Sequence, residues 1–298
     1  TGIEQTAGGF TPSRLPAMES QKKYPPTFSF EFFPPKTPEG MEKLRATWKQ
    51  LIQLKPRFFS VTYGAGGSTR DRTLEAVLEI QKDGGDAAPH LSCIGSTRAD
   101  IAATLELYQS HGLRHIVALR GDLPSGAASA GELRYANELV EFIRRTSGDH
   151  FHIEVAGYPE FHPQARSAHD DLMAFKRKVD AGANAAITQY FFNADAYFRF
   201  IDDCEALGID VPIVPGVMPI ANFSQLARFS DACGAEIPRW LRLRLQSYAD
   251  DLPSIRSFGL DVVTELCDRL LSQGAPGLHF YTMNQAGLVS TLWQRLGL

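Results

Sequence analysis

A single carboxylate, Glu31, stands inside the run FSFEFFPPK (28–36), with phenylalanines at 28, 30, 32 and 33 and the pair Pro34-Pro35 behind it. A glutamate in such surroundings must be paired or hold a raised pKa, because an unpaired buried charge is costly. A carboxyl group that keeps its proton near neutral pH is a general acid. The same glutamate turned to solvent at a strand end would be an ordinary surface charge. Other polar residues follow apolar runs in the same way: Thr62-Tyr63-Gly64, His90, Arg120-Gly121-Asp122, Tyr158-Pro159-Glu160 with His162, and Gln189. On its own His90 reads first as a satisfied core histidine, and Arg120 with Asp122 reads as well as an internal ion pair. Asp171 and Lys178 lie seven residues apart on one helix face, with Arg177 beside them. They read either as surface ion pairs or as a cationic phosphate site with a carboxylate for a ribose hydroxyl. His111 and His115 have helical i,i+4 spacing, but Gly112 interrupts it and His115 opens an apolar run, so no metal site is expected. The chain contains no GxxxxGK[ST] loop, no HExxH and no GxSxG.

The elements that would position these residues alternate regularly. Apolar strand candidates occur at 27–33, 58–63, 89–94, 115–120, 152–158, 186–192, 211–217 and 277–283. Between them run stretches with apolar residues at three- and four-residue spacing, several of which close on glycine, as at Gly112, Gly182, Gly208 and Gly274. Eight strand–helix units in series imply an α/β fold, a (β/α)8 TIM-type barrel, with the polar strand ends at its mouth. A doubly wound sheet is the alternative, but no GxGxxG follows any strand; GAGGS (64–68) lacks the spacing. The long gap between the seventh and eighth strands predicts an extra helix near 238–248. Residues 1–25 are polar and without period and read as a loose N-terminal arm, leaving 26–298 as one catalytic barrel domain.

Composition narrows the function classes. With 298 residues, 44% hydrophobic and 21% charged, the chain is globular, and a net charge of −4 argues against nucleic-acid or membrane-surface binding. No apolar stretch is long enough to span a membrane, and no secretory pattern opens the sequence. Four dispersed cysteines, Cys93, Cys204, Cys233 and Cys267, suit a reduced cytoplasmic protein.

The strings FSFEFFPPK, SVTYGAGG (60–67), APHLSCIG (88–95), HIVALRGDLP (115–124), GYPEFHPQA (157–165), DLMAFKRKVDAGANAAITQYFF (171–192), VPGVMPIANF (214–223) and HFYTMN (279–284) together resemble the methylenetetrahydrofolate reductases, in their bacterial catalytic form. The resemblance covers nearly everything from about residue 27 onward. It implies a barrel holding noncovalent FAD. It also implies a ping-pong reduction of 5,10-methylenetetrahydrofolate to 5-methyltetrahydrofolate by NADH or NADPH, feeding methionine synthesis. By motif position, Glu31 resembles the general acid that opens the imidazolidine ring, and Asp122 the aspartate that stabilises the resulting cation and tunes the flavin. Gln189 and Phe229 resemble folate contacts. The FAD positions would be Thr62, His90, Arg120, Gly121, Asp122, Tyr158, His162, Asp171, Arg177 and Lys178. Homo-oligomers, dimers or tetramers, are usual in the family. The chain ends soon after the eighth strand, so regulation through the family's eukaryotic domain is not expected. Two positions depart from the pattern. Ala174 stands where a relative carries asparagine. Gln285 stands where an arginine binds the folate tail, and losing that cation would weaken discrimination for the tail by ~1.5–3 kcal/mol.

Overall fold

The computed structural model describes residues 18–63, 70–122 and 131–298; the stretch GAGGS and residues 1–17 of the expected arm lie outside them. The strands are β1 (Thr27–Phe32), β2 (Phe58–Val61), β3 (Ala87–Ser92), β4 (His115–Leu119), β5 (His152–Gly157), β6 (Ala185–Thr188), β7 (Ile213–Val214), β8 (Gly216–Val217) and β9 (Gly277–Tyr281). After a short α1 (Glu19–Lys22), the helices that follow the first six strands are α2 (Pro38–Leu51), α3 (Arg70–Lys82), α4 (Arg98–Ser110), α5 (Ala136–Ser147), α6 (Ala168–Asp180) and α7 (Ala194–Ala206). Three more, α8 (Phe223–Cys233), α9 (Arg239–Ser247) and α10 (Leu252–Gln273), lie between β8 and β9, and α11 (Gly287–Arg295) follows β9. The extra helix expected near 238–248 is α9.

Every strand pairing is parallel, in the order β7-β6-β5-β4-β3-β2-β1-β9-β8. The two ends of this ladder are separated along the chain only by Pro215. The expected seventh strand is therefore cut in two, because proline brings no N–H to the ladder: β7 bonds to β6 and β8 to β9. The Pro215 carbonyl still accepts the His279 N–H at 3.0 Å. The result is a nearly closed, TIM-barrel-like parallel sheet of nine paired segments, where eight strands were expected. β6 also stops at Thr188, short of the expected 192. Tyr190, Phe191 and Phe192 leave the sheet and are buried, Phe191 stacking on Tyr197 of α7 at 5.7 Å.

Helix starts follow the capping chemistry in the sequence. Thr37 accepts the Gly40 N–H ahead of α2, Thr97 and Asp100 form a reciprocal capping box on α4, and Ser167, Asn193, Asn222 and Asp251 cap α6, α7, α8 and α10. The expected stop glycines Gly112, Gly182, Gly208 and Gly274 all have positive φ.

Side chains alternate between the two faces of each strand. On the helix-facing side of β1, Phe28 and Phe30 meet Trp293 of α11 at 5.4 and 5.6 Å, and Phe32 stacks on Phe59 at 5.4 Å. Full burial of a ring of this size contributes ~1.5–3 kcal/mol. The opposite face carries Ser29 and Glu31. Parallel register sets Ser29 beside Phe58 and His279, and Glu31 beside Ser60 and Tyr281. Inside the barrel, Phe58, Ala88, Val117 and Ile187 form a small separate apolar cluster.

The loose arm does not extend to residue 25. Met18 and Gln21 are buried. Gln21 Oε1 accepts the Ile213 N–H at 2.8 Å, and its Nε2 donates to the Val211 carbonyl at 3.2 Å. Tyr24 and Lys23 both bond Asp210. One buried amide therefore satisfies backbone groups that the start of β7 cannot pair in the ladder. Gln21→Ala would leave those groups unsatisfied, and a loss of ~1–3 kcal/mol is expected in urea unfolding. A change below a few tenths of a kcal/mol would mean that the segment is not anchored.

Candidate active site

Glu31 lies on the interior face of β1, with its side chain 17% exposed. Its Oε2 is 3.2 Å from Nε2 of the fully buried His279 on β9 and accepts a 3.2 Å hydrogen bond from Ser60 Oγ on β2. His90 Nε2, on β3, is 3.3 Å from the same oxygen but off the line of a hydrogen bond. On its other side, His279 Nδ1 is 2.7 Å from Ser29 Oγ. The Glu31 main-chain carbonyl accepts from Thr282 Oγ1 at 2.6 Å. Burial pushes the Glu31 carboxyl up, yet the charge of His90 and the hydrogen bond from His279 outweigh it and hold the group well below the usual carboxylate range. The expectation of a raised value from the flanking rings therefore fails. Strand alternation explains this, because Phe30 packs into the helix layer while Glu31 faces imidazoles.

Above this cluster opens a cleft of about 530 Å³ lined by Glu31, Thr62, His90, Asp122, Tyr158, His162, Gln189, Phe229 and Met283, among others. A second lobe of about 540 Å³ lies over β4 and β5 between α5 and α6, lined by Arg120, Asn137, Asp171, Ala174, Arg177 and Lys178. Leu119, Ala156, Tyr158, His162 and Gln164 line both, so the two adjoin along a shared ridge as a two-lobed trough.

The lobe is cationic and tightly held. Lys178 donates to the Ala156 carbonyl at the end of β5, and its ammonium lies 5.8 Å from the Tyr158 ring and 5.7 Å from that of Phe175. Burial lowers its pKa to about 8, against the opposing charge of Asp171. The residue as a whole keeps some exposed area, but the ammonium itself is enclosed. Asp171 Oδ2 accepts the His162 N–H at 3.0 Å, which ties the loop after β5 to α6. Burial raises Asp171 and lowers His162, and burial also pushes the Tyr158 hydroxyl up to about 12. Arg120 Nη2 donates to Gln164 Oε1 at 2.6 Å, in place of the Arg120–Asp122 ion pair weighed from the sequence. Between them, Gly121 has φ +83°, and a Cβ there would lie 2.8 Å from the Ser92 Cβ, so only glycine fits.

The structure thus brings Glu31, Asp122, Thr62, His90, Tyr158, His162, Gln189 and Phe229 to one mouth, and Arg120, Asp171, Arg177 and Lys178 to the adjoining lobe. It does not bring Gln285, which is exposed and outside both cavities, its N–H bonded to the Thr282 carbonyl. Gln189 Oε1 accepts the Tyr190 N–H at 3.1 Å. Sequence reasoning missed Ser29, Ser60 and His279. Their signal was polar residues at inward, alternate positions of otherwise apolar strands. It also missed Asn284, which bonds both the N–H and the carbonyl of Phe33, at 3.0 and 2.8 Å. Met283 and Asn284 are consecutive left-handed residues, φ +52° and +58°, a turn that costs conformational energy and seats Met283 in the cleft.

Comparison with known proteins adds an independent line. The family model for methylenetetrahydrofolate reductase matches residues 17–297. The 5,10-methylenetetrahydrofolate reductases of Salmonella typhimurium and Escherichia coli are each 43% identical over 270 residues, 90% of both chains. The Arabidopsis thaliana methylenetetrahydrofolate reductase (NADH) 1 is 39% identical over 285 residues, 91% of this chain but 48% of the relative. A solved structure from Clostridium thermocellum, of a protein described as binding two copies of 5-methyl-5,6,7,8-tetrahydrofolic acid, shares the fold. Its TM-score is 0.64 at 16% identity, over 94% of this chain and 97% of the other.

The enclosed Lys178 makes a pH-dependent demand on the fold. A lysine in the unfolded chain titrates near ~10.4, whereas in the folded protein Lys178 titrates near 8. Between those values the unfolded state binds more protons, so stability rises with pH; at neutral pH both states hold the proton and the burial cost is fully present. Urea titrations of the parent and Lys178→Met from pH 7 to 10.5 are expected to show the parent gaining stability relative to the variant above pH 8. A flat difference would refute the enclosure.

Proposed function

The chain belongs to the methylenetetrahydrofolate reductase family, and from that membership we propose that the trough holds noncovalent FAD and one pterin-type substrate in turn with NADH or NADPH, so that the chain reduces 5,10-methylenetetrahydrofolate to 5-methyltetrahydrofolate. The single observation that carries this reading is a cationic lobe adjoining a mouth that contains one partly buried carboxylate, Glu31. A dinucleotide needs both parts: cations for its phosphates and an apolar, hydrogen-bonding mouth for its ring system.

The residues present suit the flavin. Arg120, Arg177 and Lys178 would meet the diphosphate. Asp171 would take a ribose hydroxyl, and Gly121, which has no room for a Cβ, would let backbone approach closely. The buried His90 Nε2, without an aligned hydrogen bond among the described residues, would have a donor or acceptor to spare for the ring edge. When bound, FAD would supply the two-electron carrier between nicotinamide and folate. Ala174, in the same lobe, offers no polar contact. Without a Rossmann fingerprint, nothing in the sequence reads the nicotinamide's 2′ position.

The remaining chemistry is proton transfer, and the chain's own residues perform it. Opening the imidazolidine ring breaks the bond between the methylene carbon and N10, puts a proton on N10 and leaves an iminium cation at N5. Glu31 would deliver that proton. His90 and His279 hold the carboxyl low, so its proton would have to come through its neighbours, and His279, fixed by Ser29 and 3.2 Å from the same oxygen, would orient the carboxylate and pass it a proton. Asp122, exposed at the rim, would stabilise the cation, Gln189 would hydrogen-bond the pterin edge, and Phe229 would cover it. Gln285, outside the cleft and uncharged, offers a folate tail only a neutral hydrogen bond. The same reading expects a cytoplasmic homo-oligomer, dimer or tetramer, that works in one-carbon metabolism.

Anaerobic mixing separates the two half-reactions. The purified protein is expected to be yellow, to bleach with NADH or NADPH, and to recover colour with methylenetetrahydrofolate. Glu31→Gln is expected to keep the first step and lose the second by on the order of 10²–10⁴-fold, with a smaller loss for His279→Asn. A colourless protein that takes up no FAD would sink the assignment, and equal loss of both steps in Glu31→Gln would remove Glu31 as the acid.

A further inference from the structure

We propose that His115, His152 and Glu154 form a second site, for a zinc-class divalent cation, at the end of the barrel opposite the mouth. Parallel register sets His115, the first residue of β4, directly beside His152, the first residue of β5. Glu154 lies two residues further along β5 and so shares their inward face. The sequence already sets His115 at the start of a strand rather than beside His111, and the fold pairs it there with His152 across the sheet.

The ligand geometry is already in place. Glu154 Oε1 is 3.1 Å from His115 Nε2 and 3.3 Å from His152 Nε2, and among the described residues the three donors lie within 4.8 Å of one another. Ligands bound at ~2.0–2.1 Å to a tetrahedral ion stand about 3.3 Å apart, so the carboxylate oxygen is already at ligand spacing from each imidazole, while the widest spacing in the group, up to 4.8 Å, would close on binding. The second carboxylate oxygen, Glu154 Oε2, is buried and has no hydrogen-bond partner among the described residues, although the residue is only 4% exposed. Native structures rarely leave such an atom unanswered. His115 Nδ1 is 3.5 Å from Asp86 Oδ2, the carboxylate–histidine pairing that orients metal-bound imidazoles. The Phe58 ring packs on His115 at 4.2 Å, which fixes its plane. His152 has a 47% exposed side chain, giving an ion a route from solvent and room for a water as fourth ligand.

Two imidazoles with one carboxylate select zinc or cobalt over magnesium or calcium, which prefer oxygen-only shells. The site touches neither cavity of the trough, and β4 alone places roughly 13 Å between its two ends at the usual strand rise. The ion would therefore clamp β4 to β5 and take no part in the reduction.

The test uses the full chain with whatever flavin it carries, stripped with a chelator and titrated with zinc chloride by calorimetry, with cobalt(II) absorption as a second readout. The expected result is one ion per chain and a tetrahedral cobalt spectrum. Binding should weaken by about 100-fold or more in His152→Ala and Glu154→Gln, the scale that even an orienting partner commands, and by about 10–100-fold in Asp86→Asn. Because His152 is largely exposed, His152→Ala provides a variant whose folding can be verified by circular dichroism. His111→Ala controls for an exposed histidine. Equal zinc affinity in parent and His152→Ala, weakening by His111→Ala, or no binding by the parent would each overturn the proposal.

Discussion

A carboxylate inside a parallel barrel can be stabilised only by what neighbouring strands turn inward beside it. Glu31 meets this constraint with three different strands: His279 from β9, Ser60 from β2 and His90 from β3. None is close to it in sequence, so the pairing exists only when β1 lies between β2 and β9 in the observed register. A slip of one residue would turn Glu31 into the helix layer against Trp293 and bring Phe30 inward. The same interaction therefore helps to fix the register and gathers the carboxyl, one hydroxyl and two imidazoles at one point. The phenylalanines that make the segment conspicuous serve the outer interface and leave the electrostatics of the carboxyl to the imidazoles.

The mouth and the lobe are linked by a similar economy of contacts. Asp171 holds the backbone of His162, His162 lies edge-on to Tyr158 at 4.8 Å, and Tyr158 covers the ammonium of Lys178. The loop after β5 is thus tied to the first turns of α6, and its side chains form the ridge shared by both cavities. Enclosing Lys178 costs stability near neutral pH, because its charged form has lost water and the Ala156 carbonyl, two rings and the charge of Asp171 do not fully replace it. A group kept at such a cost is suited to an anionic ligand, whose charge would reverse the sign of the interaction.

Much of this was legible in the chain. The strand–helix alternation, the stop glycines and the extra helix α9 follow from periodicity and capping chemistry, and those signals are local. The residues gathered at the mouth were also legible, since polar residues closing apolar strands have only one end of a barrel to occupy. What was not legible depended on contacts across the sheet. Pro215 divides a strand without ending the ladder, because its carbonyl still pairs with His279. Gln21 anchors a segment whose composition reads as loose, through backbone groups almost two hundred residues away. The direction of the Glu31 shift depended on which side of the strand the rings took, and the position of His279 beside Ser29 depended on register. His115 was legible as the start of a strand, but its neighbour His152 emerged only from the pairing of β4 with β5.

The barrel therefore carries two ionisable clusters on its inner face, and they stay separate. Phe58 lies between them, 4.2 Å from the His115 ring and 6.1 Å from that of His279, with Ala88, Val117 and Ile187 completing an apolar layer. Charges on either side of such a layer would attract or repel strongly at low dielectric if they were close, and more weakly as distance and polarisable rings intervene. The division also follows the chain. Glu31, Ser60, His90 and His279 belong to β1, β2, β3 and β9, while His115, His152 and Glu154 belong to the opposite ends of β4 and β5. A cation bound low between β4 and β5 would stiffen the strands whose upper ends carry Arg120, Gly121 and Tyr158, with the apolar layer standing between it and the Glu31 cluster.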